Sequence, residues 1–246
     1  MEKKNIETFI KKYSLGGLLD KVRWVVKDKT LRATSMTSDR KLVTDVLMEV
    51  FDKEDSEIGI MSSDRLKQMV GAVGDDISLE IIPNETDATR ISQLVISDAN
   101  TEVTYQAGDL DTFEPSTKVK SIPTFEVEIP LTEEFIGRFL KAKSAMSESD
   151  LFTLAMNKKK KTLEMVIGYS KNNTNKIAIS VPATIGKDSV KEPISFSAKN
   201  LKEILSVNSE AVDPILKVSE AGMAYIEFNK NGFQSQYYMI KIEIED

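Results

Sequence analysis

Ser62-Ser63-Asp64-Arg65-Leu66-Lys67-Gln68-Met69-Val70 returns later in the chain as Ser197-Ala198-Lys199-Asn200-Leu201-Lys202-Glu203-Ile204-Leu205. In both stretches a hydroxyl-bearing residue precedes a run that is apolar at i, i+3 and i+4, the pattern of a short amphipathic helix with a capped start. Leu66 and Lys67 fall on Leu201 and Lys202. Each stretch follows an apolar strand candidate, Ile58 to Met61 or Ile194 to Ser197, and precedes three more, so the unit reads strand, helix, three strands. Ile6-Phe9-Ile10 and Ile136-Phe139-Leu140 carry the same helical spacing, and the four triads recur at intervals of roughly 65 residues. One supersecondary unit is therefore used repeatedly.

Working outward, the first half opens with a helix from Glu2 to Tyr13, ended by Ser14 and Gly16-Gly17. Strands Val22 to Lys27 and Leu31 to Met36 flank the turn Asp28-Lys29-Thr30, and Leu42 to Phe51 continues the apolar run. The spacing predicts a second helix from Arg65 to Val73, capped by Ser62-Ser63-Asp64 and ended by Gly74. Ser78 to Ile82, Ile91 to Ile96 and Glu102 to Gln106 then read as strands. Gly108 to Pro123 has no clear period and reads as a connector.

The second half repeats the first. Phe125 to Ile129 is a strand candidate, and Pro130-Leu131-Thr132-Glu133 starts a third helix running to about Lys143. Leu151 to Asn157 and Thr162 to Tyr169 flank a cationic turn, Lys158 to Lys161, and Lys176 to Val181 follows. The fourth helix is Ala198 to Val207, with strands at Ile215 to Ser219, Ala224 to Phe228 and Gln236 to Glu243; Glu220-Ala221-Gly222 turns between the first two of these. The expected class is α+β: two similar domains, 1–110 and 124–246, joined by a connector at 111–123, each with two helices on antiparallel sheets.

Composition narrows the function. The 246 residues include no Cys and no His, which removes disulfides, a thiolate zinc site, a cysteine nucleophile and the usual general base of a Ser nucleophile. No stretch reaches the roughly 20 apolar residues needed to span a bilayer, and the charged Met1 to Lys12 lacks a signal-peptide apolar region, so an intracellular place without membrane attachment is expected. The 39 Asp and Glu are interspersed with Lys and Arg as on a solvated surface, which leaves a carboxylate metal enzyme as a distant rival; no metal and no cofactor are expected.

The formal charge of −6 conceals a division. The four helices as read hold eleven Lys or Arg against six Asp or Glu, so the rest of the chain is strongly acidic. At about 100° per residue, Lys4, Lys11, Arg138, Lys141 and Lys199 lie nearly opposite the apolar stripes, and Lys12, Arg65, Lys67 and Lys202 flank them. One concentrated basic surface on an acidic protein fits a polyanion held in a defined place; the plain alternative is that these side chains only solvate the helix backs.

With these features in hand, the chain resembles the ring-shaped DNA sliding clamps over nearly its whole length, in particular the two-domain type of proliferating cell nuclear antigen, archaeal clamps and the clamps of T-even bacteriophages. Ser35-Met36-Thr37-Ser38-Asp39 after the first hairpin, Ala224-Tyr225-Ile226-Glu227-Phe228, and the closing Tyr237-Tyr238-Met239-Ile240-Lys241-Ile242-Glu243 are the local echoes. It departs from the cellular pattern in a shortened acidic tail and in lacking Ala-Pro after the Tyr pair, which points to a viral clamp and hence to the host cytoplasm.

The resemblance implies a homotrimeric ring, a DNA polymerase accessory protein and processivity factor that encircles double-stranded DNA without reading its sequence. Lys4, Lys11, Lys12, Arg65, Lys67, Arg138, Lys141, Lys199 and Lys202 would meet phosphates. Strand Glu102 to Gln106 of one copy would pair with Lys176 to Val181 of the next. Clients, the replicative DNA polymerase among them, would dock peptides on Met36, Leu42, Val119, Ile122, Met223, Tyr238 and Ile240. Met36, Met223 and Ile240 fit a core equally well. An ATP-dependent clamp loader would open the ring, and late-transcription factors are implied as further partners. A clamp-fold accessory subunit that binds proteins without encircling DNA is the main alternative reading.

Overall fold

The computed structural model describes residues 2–113, 119, 121–157, 159–170, 175–185, 190, 192–211 and 214–243. Two compact units share the chain: Met1–Thr37, Val43–Lys118 and Asn229–Ser235 form one, and Ser38–Leu42, Val119–Phe228 and Gln236–Asp246 form the other. Each unit thus contains a short piece from the opposite half of the sequence.

The first unit opens with helix α1 (Lys3–Ser14), which buries Ile6, Phe9, Ile10 and Tyr13 along one stripe. Leu15 takes a left-handed conformation, φ 49°, and its N–H closes the helix on Lys11 O at 3.2 Å. Strands β1 (Val22–Lys27), β2 (Thr30–Met36), β3 (Leu42–Met48) and β4 (Ser56–Ile60) follow. Asp28 and Lys29 both have positive φ, 50° and 59°, which gives the two-residue hairpin turn whose twist matches its strands. Helix α2 (Ser63–Gly71) starts where Ser62 Oγ accepts the Arg65 N–H at 3.2 Å. Strands β5 (Ser78–Pro83), β6 (Ile91–Ser97) and β7 (Glu102–Gln106) complete the unit. The strand orders are β4-β1-β2-β3 and β5-β6-β7, with antiparallel neighbours. The two helices pack together over a core in which Phe9, Tyr13 and Trp24 meet edge to face, with centroids 5.3 and 5.5 Å from Phe9.

The second unit has the same plan. Strand β8 (Val127–Pro130) precedes helix α3 (Glu133–Ala145), capped by Thr132 Oγ1 accepting the Phe135 N–H at 3.2 Å. Strands β9 (Leu151–Asn157), β10 (Thr162–Ile167), β11 (Ile177–Ser180), β12 (Thr184–Ile185) and β13 (Ile194–Ser197) come next. Helix α4 (Ala198–Val207) is capped by Ser197 Oγ accepting the Asn200 N–H at 3.2 Å, and β14 (Ile215–Val218), β15 (Met223–Lys230) and β16 (Phe233–Ile240) close the element order. The order β13-β9-β10-β11 repeats β4-β1-β2-β3, and β14-β15-β16 repeats β5-β6-β7. Strand β8 pairs with β14; in the first unit a single bridge, Glu2 to Asp76, holds the corresponding place before β5.

The helix spacing, caps and most strand positions agree with the sequence expectation. Several details differ: β16 starts at Phe233 and not Gln236, β8 at Val127 and not Phe125, and β3 ends at Met48 and not Phe51. Helix α3 buries Phe135, Phe139 and Ala142, not the triad Ile136-Phe139-Leu140: two rings one turn apart bury more surface than Ile136 and Leu140, which stay half-buried. Strand β12 was not foreseen, because two residues carry no period. Helix α2 stops at Gly71, short of Val73. Glu114 to Lys118 and Lys120 of the expected connector, and Lys158 of the cationic turn, lie outside the described residues. Among the described residues, no helix is long and apolar enough to cross a membrane.

Candidate functional site

The solvated faces of the four helices are the first candidate. On α1, Lys4 and Lys11 are exposed, as are Arg65 and Lys67 on α2. Lys12 does not join them. It is only 2% exposed and its ammonium lies 5.9 Å from the centre of the Phe233 ring, so it cannot reach a phosphate. The cause is rotational: Lys12 sits one turn beyond Phe9, beside the buried stripe, and its stem turns inward. Lys3, not singled out from sequence, donates from Nζ to Val73 O at 2.8 Å and ties the start of α1 to the end of the α2 segment.

In the second unit Arg138 and Lys141 project from α3, and Lys199 and Lys202 from α4. Arg138 is paired with Glu134 one turn earlier, and Lys202 lies 4.0 Å from Glu203. The first pair is exposed and the second half-buried on its Glu203 side, and both are weak by nature. Among the described residues Lys4, Lys11, Arg65, Lys67, Lys141 and Lys199 form no ion pair. Exposed unpaired cations on helix backs can neutralise phosphates without a fixed geometry, which suits contact with any sequence.

The expected peptide-docking residues divide by burial. Leu42 is fully buried, at 0%, because it begins a strand covered on both faces over its first three residues, so it offers no surface to a ligand. Tyr238 is 5% exposed: the Tyr225 ring covers it with centroids 4.9 Å apart, and Phe125 stacks on Tyr225 at 5.8 Å with planes 20° apart. Met36, Val119, Met223 and Ile240 are half-buried, and Ile122 is 56% exposed. Within the second unit, Lys241 N–H donates to Gly222 O at 2.8 Å and Ile240 N–H to Lys41 O at 2.9 Å, which sets Met223 and Ile240 on neighbouring strands. Phe125 and Tyr225 fall in expected strands and not among the expected docking residues. The available signal was an aromatic residue on the face of β15 opposite Ala224, Ile226 and Phe228.

The start of the connector is held by basic side chains of the first unit. Gly108 N–H donates to Gly59 O at 2.8 Å, Arg23 Nη2 to Leu110 O at 3.1 Å and Lys21 Nζ to Thr112 O at 2.6 Å. Arg90 bridges Asp109 and Asp111 at 2.9 and 3.0 Å, which holds its guanidinium even more firmly charged than usual, Asp111 contributing most. Among the described residues, β7 and β11 each end their sheet, and no group of three or more acidic side chains is placed to hold a metal ion.

No family model matches the chain, and no curated protein matches it. Solved structures do. Proliferating cellular nuclear antigen from Entamoeba histolytica is similar with a TM-score of 0.70 at 16% identity, over 98% of this chain and 96% of that one. Proliferating cell nuclear antigen of A. fulgidus, in a structure with the C-terminal region of FEN-1 bound, is similar with a TM-score of 0.71 at 15% identity, over 100% and 98%. The chain has the sliding-clamp fold. At this identity the likeness is one of fold, and in the clamp fold the duplicated strand–helix–three-strand unit and its antiparallel sheets are accounted for from end to end.

Proposed function

We propose that this chain is a DNA sliding clamp: three copies close a ring, the helices face the hole, and the ring holds a DNA polymerase on its template. The observation that carries the reading is the set of exposed helix cations in both units of a clamp fold, six of them without an ion pair among the described residues. A duplex passing such helices meets positive charge at every step and no base-reading groups, so it is tethered and still slides. The task is mechanical and requires no chemical step. Edge strands β7 and β11 supply the pairing between copies, and the domains expected from sequence, 1–110 and 124–246, flank a connector at 111–123 beside which clients dock. The FEN-1 segment on the A. fulgidus protein supports peptide docking as the mode of client binding. An ATP-dependent loader, late-transcription factors, a viral origin and an intracellular site complete the reading.

Light scattering on a size-exclusion column tests it. The expected particle is a trimer of the 27.5 kDa chain, about 82 kDa, retained on circular duplex DNA after loading and lost when the DNA is cut. A persistent 27.5 kDa species with no salt-sensitive retention overturns the ring and favours the accessory subunit.

A further inference from the structure

The cationic turn between β9 and β10 has no part in the reading above, and its construction sets it apart. Lys159, Lys160 and Lys161 are all exposed. Asn157 organises them: its Oδ1 accepts the N–H of Lys159 at 3.1 Å and of Lys160 at 3.0 Å, and its carbonyl accepts the Lys161 N–H at 2.7 Å. Lys161 takes φ 55° to complete the turn. Glu164 is 3.6 Å from Lys160 Nζ and already accepts the Asn157 Nδ2–H at 2.8 Å. Lys159 and Lys161 form no ion pair among the described residues.

The corresponding turn of the first unit shows the opposite treatment. There the Lys29 ammonium meets Asp52 at 2.9 Å, and the Asp28 N–H donates to Asp55 Oδ1 at 2.9 Å. One copy of the turn is neutralised and the other is left cationic. Strands β9 and β10 are the middle strands of the sheet against which α3 and α4 pack, so the turn joins two strands of the layer that carries the helices bearing Arg138, Lys141, Lys199 and Lys202.

We propose that Lys159, Lys160 and Lys161 form a second phosphate-contact site, which grips the backbone of duplex DNA beyond the helix face of the same unit. This rests on the DNA-binding reading above. A turn already fixed by Asn157 gives up little backbone freedom on binding, and a polyanion crossing the helix face is the ligand that the helix cations of the same unit also attract.

The test uses the full-length protein and a fluorescent 30-base-pair duplex, titrated at several KCl concentrations. Replacing all three residues (Lys159→Ala, Lys160→Ala, Lys161→Ala) is expected to reduce the slope of log K against log salt by about 2 to 3, since each lost phosphate contact contributes about 0.9. A slope equal to wild type overturns the site. The pair Lys141→Ala and Lys199→Ala separates the two levels of argument: if it flattens the slope and the turn variant does not, only the turn site fails. If neither does, the DNA reading fails with it. A turn variant that keeps the DNA slope but loses binding to a poly-glutamate peptide assigns the tip to an acidic protein segment and also overturns the proposal. Lys159→Glu alone, which leaves the Asn157 bonds in place, repeats the measurement should the triple variant misfold.

Discussion

Lys11 and Lys12 are neighbours in sequence and opposites in environment. Lys11 stands in solvent; Lys12 lies beneath Phe233 at 2% exposure. Helical position identified the residue types that could face a polyanion, but a lysine at the border of an apolar stripe can turn either way, and only the ring that covers it decides. Asp98 carries a prediction of its own. Its carboxylate accepts N–H groups from Asn100, Gly74 and Thr101, which hold its pKa below the ordinary Asp range, the Asn100 bond contributing most. A depressed folded pKa means that the stabilisation is complete above the unfolded value, about 3.9, and is lost as pH falls through the lower folded one. Asp98→Asn removes that dependence, so melting temperature should fall less steeply in the variant than in wild type between about pH 5 and pH 3. Parallel curves would show that the carboxylate bonds contribute nothing specific.

Elements were more legible than faces. The bounds of β1, β7, β9, β13 and α4 follow from apolar period and capping hydroxyls, both of which are local properties. The inward face of α3 was misread because Ile136, Phe139 and Leu140 satisfy the spacing as well as Phe135, Phe139 and Ala142 do, and side-chain size broke the tie. Strand β4 shows what a pattern cannot reveal. Its Gly59 lies so near the chain at Gly108 that an added Cβ would stand 2.5 Å from the Gly108 carbonyl oxygen and 2.6 Å from the Phe113 ring. Gly59→Ala should therefore lift the Gly108 to Phe113 segment from the strand, cost about 1–3 kcal/mol by overpacking, and speed proteolytic cleavage within the connector. Calorimetry and timed digestion check both, and unchanged values in each would refute the close approach.

For the whole molecule, the repeat in the sequence carried the fold, because an element order that recurs across a full chain admits few architectures. Contacts between copies leave no such period. Helix α3 supplies the nearest indication: Ile136 and Leu140 remain half-buried on a helix that packs beside β11, the strand ending its sheet among the described residues. An apolar pair beside an available strand edge suits a second copy of the chain. If three copies close the proposed ring, Leu140→Asp should leave the far-ultraviolet spectrum of the monomer unchanged while weakening their association about 100-fold, or ~2.7 kcal/mol, through the buried charge. Sedimentation at several concentrations reads the effect, and a trimer as tight as wild type would place the contact elsewhere.

The short segments that each unit takes from the opposite half of the sequence also bear on how the protein is made. Phe233, which roofs Lys12 and joins the core of the first unit, lies in the stretch Asn229–Ser235. A ribosome delivers that stretch only after Val119–Phe228, so the first unit waits through translation of most of the second for this side chain. Until then Lys12 is an uncovered cation. Completion of the first unit is thereby coupled to synthesis of the second, and a nascent chain that stalls before Asn229 displays an unfinished core to the quality-control machinery of the cell.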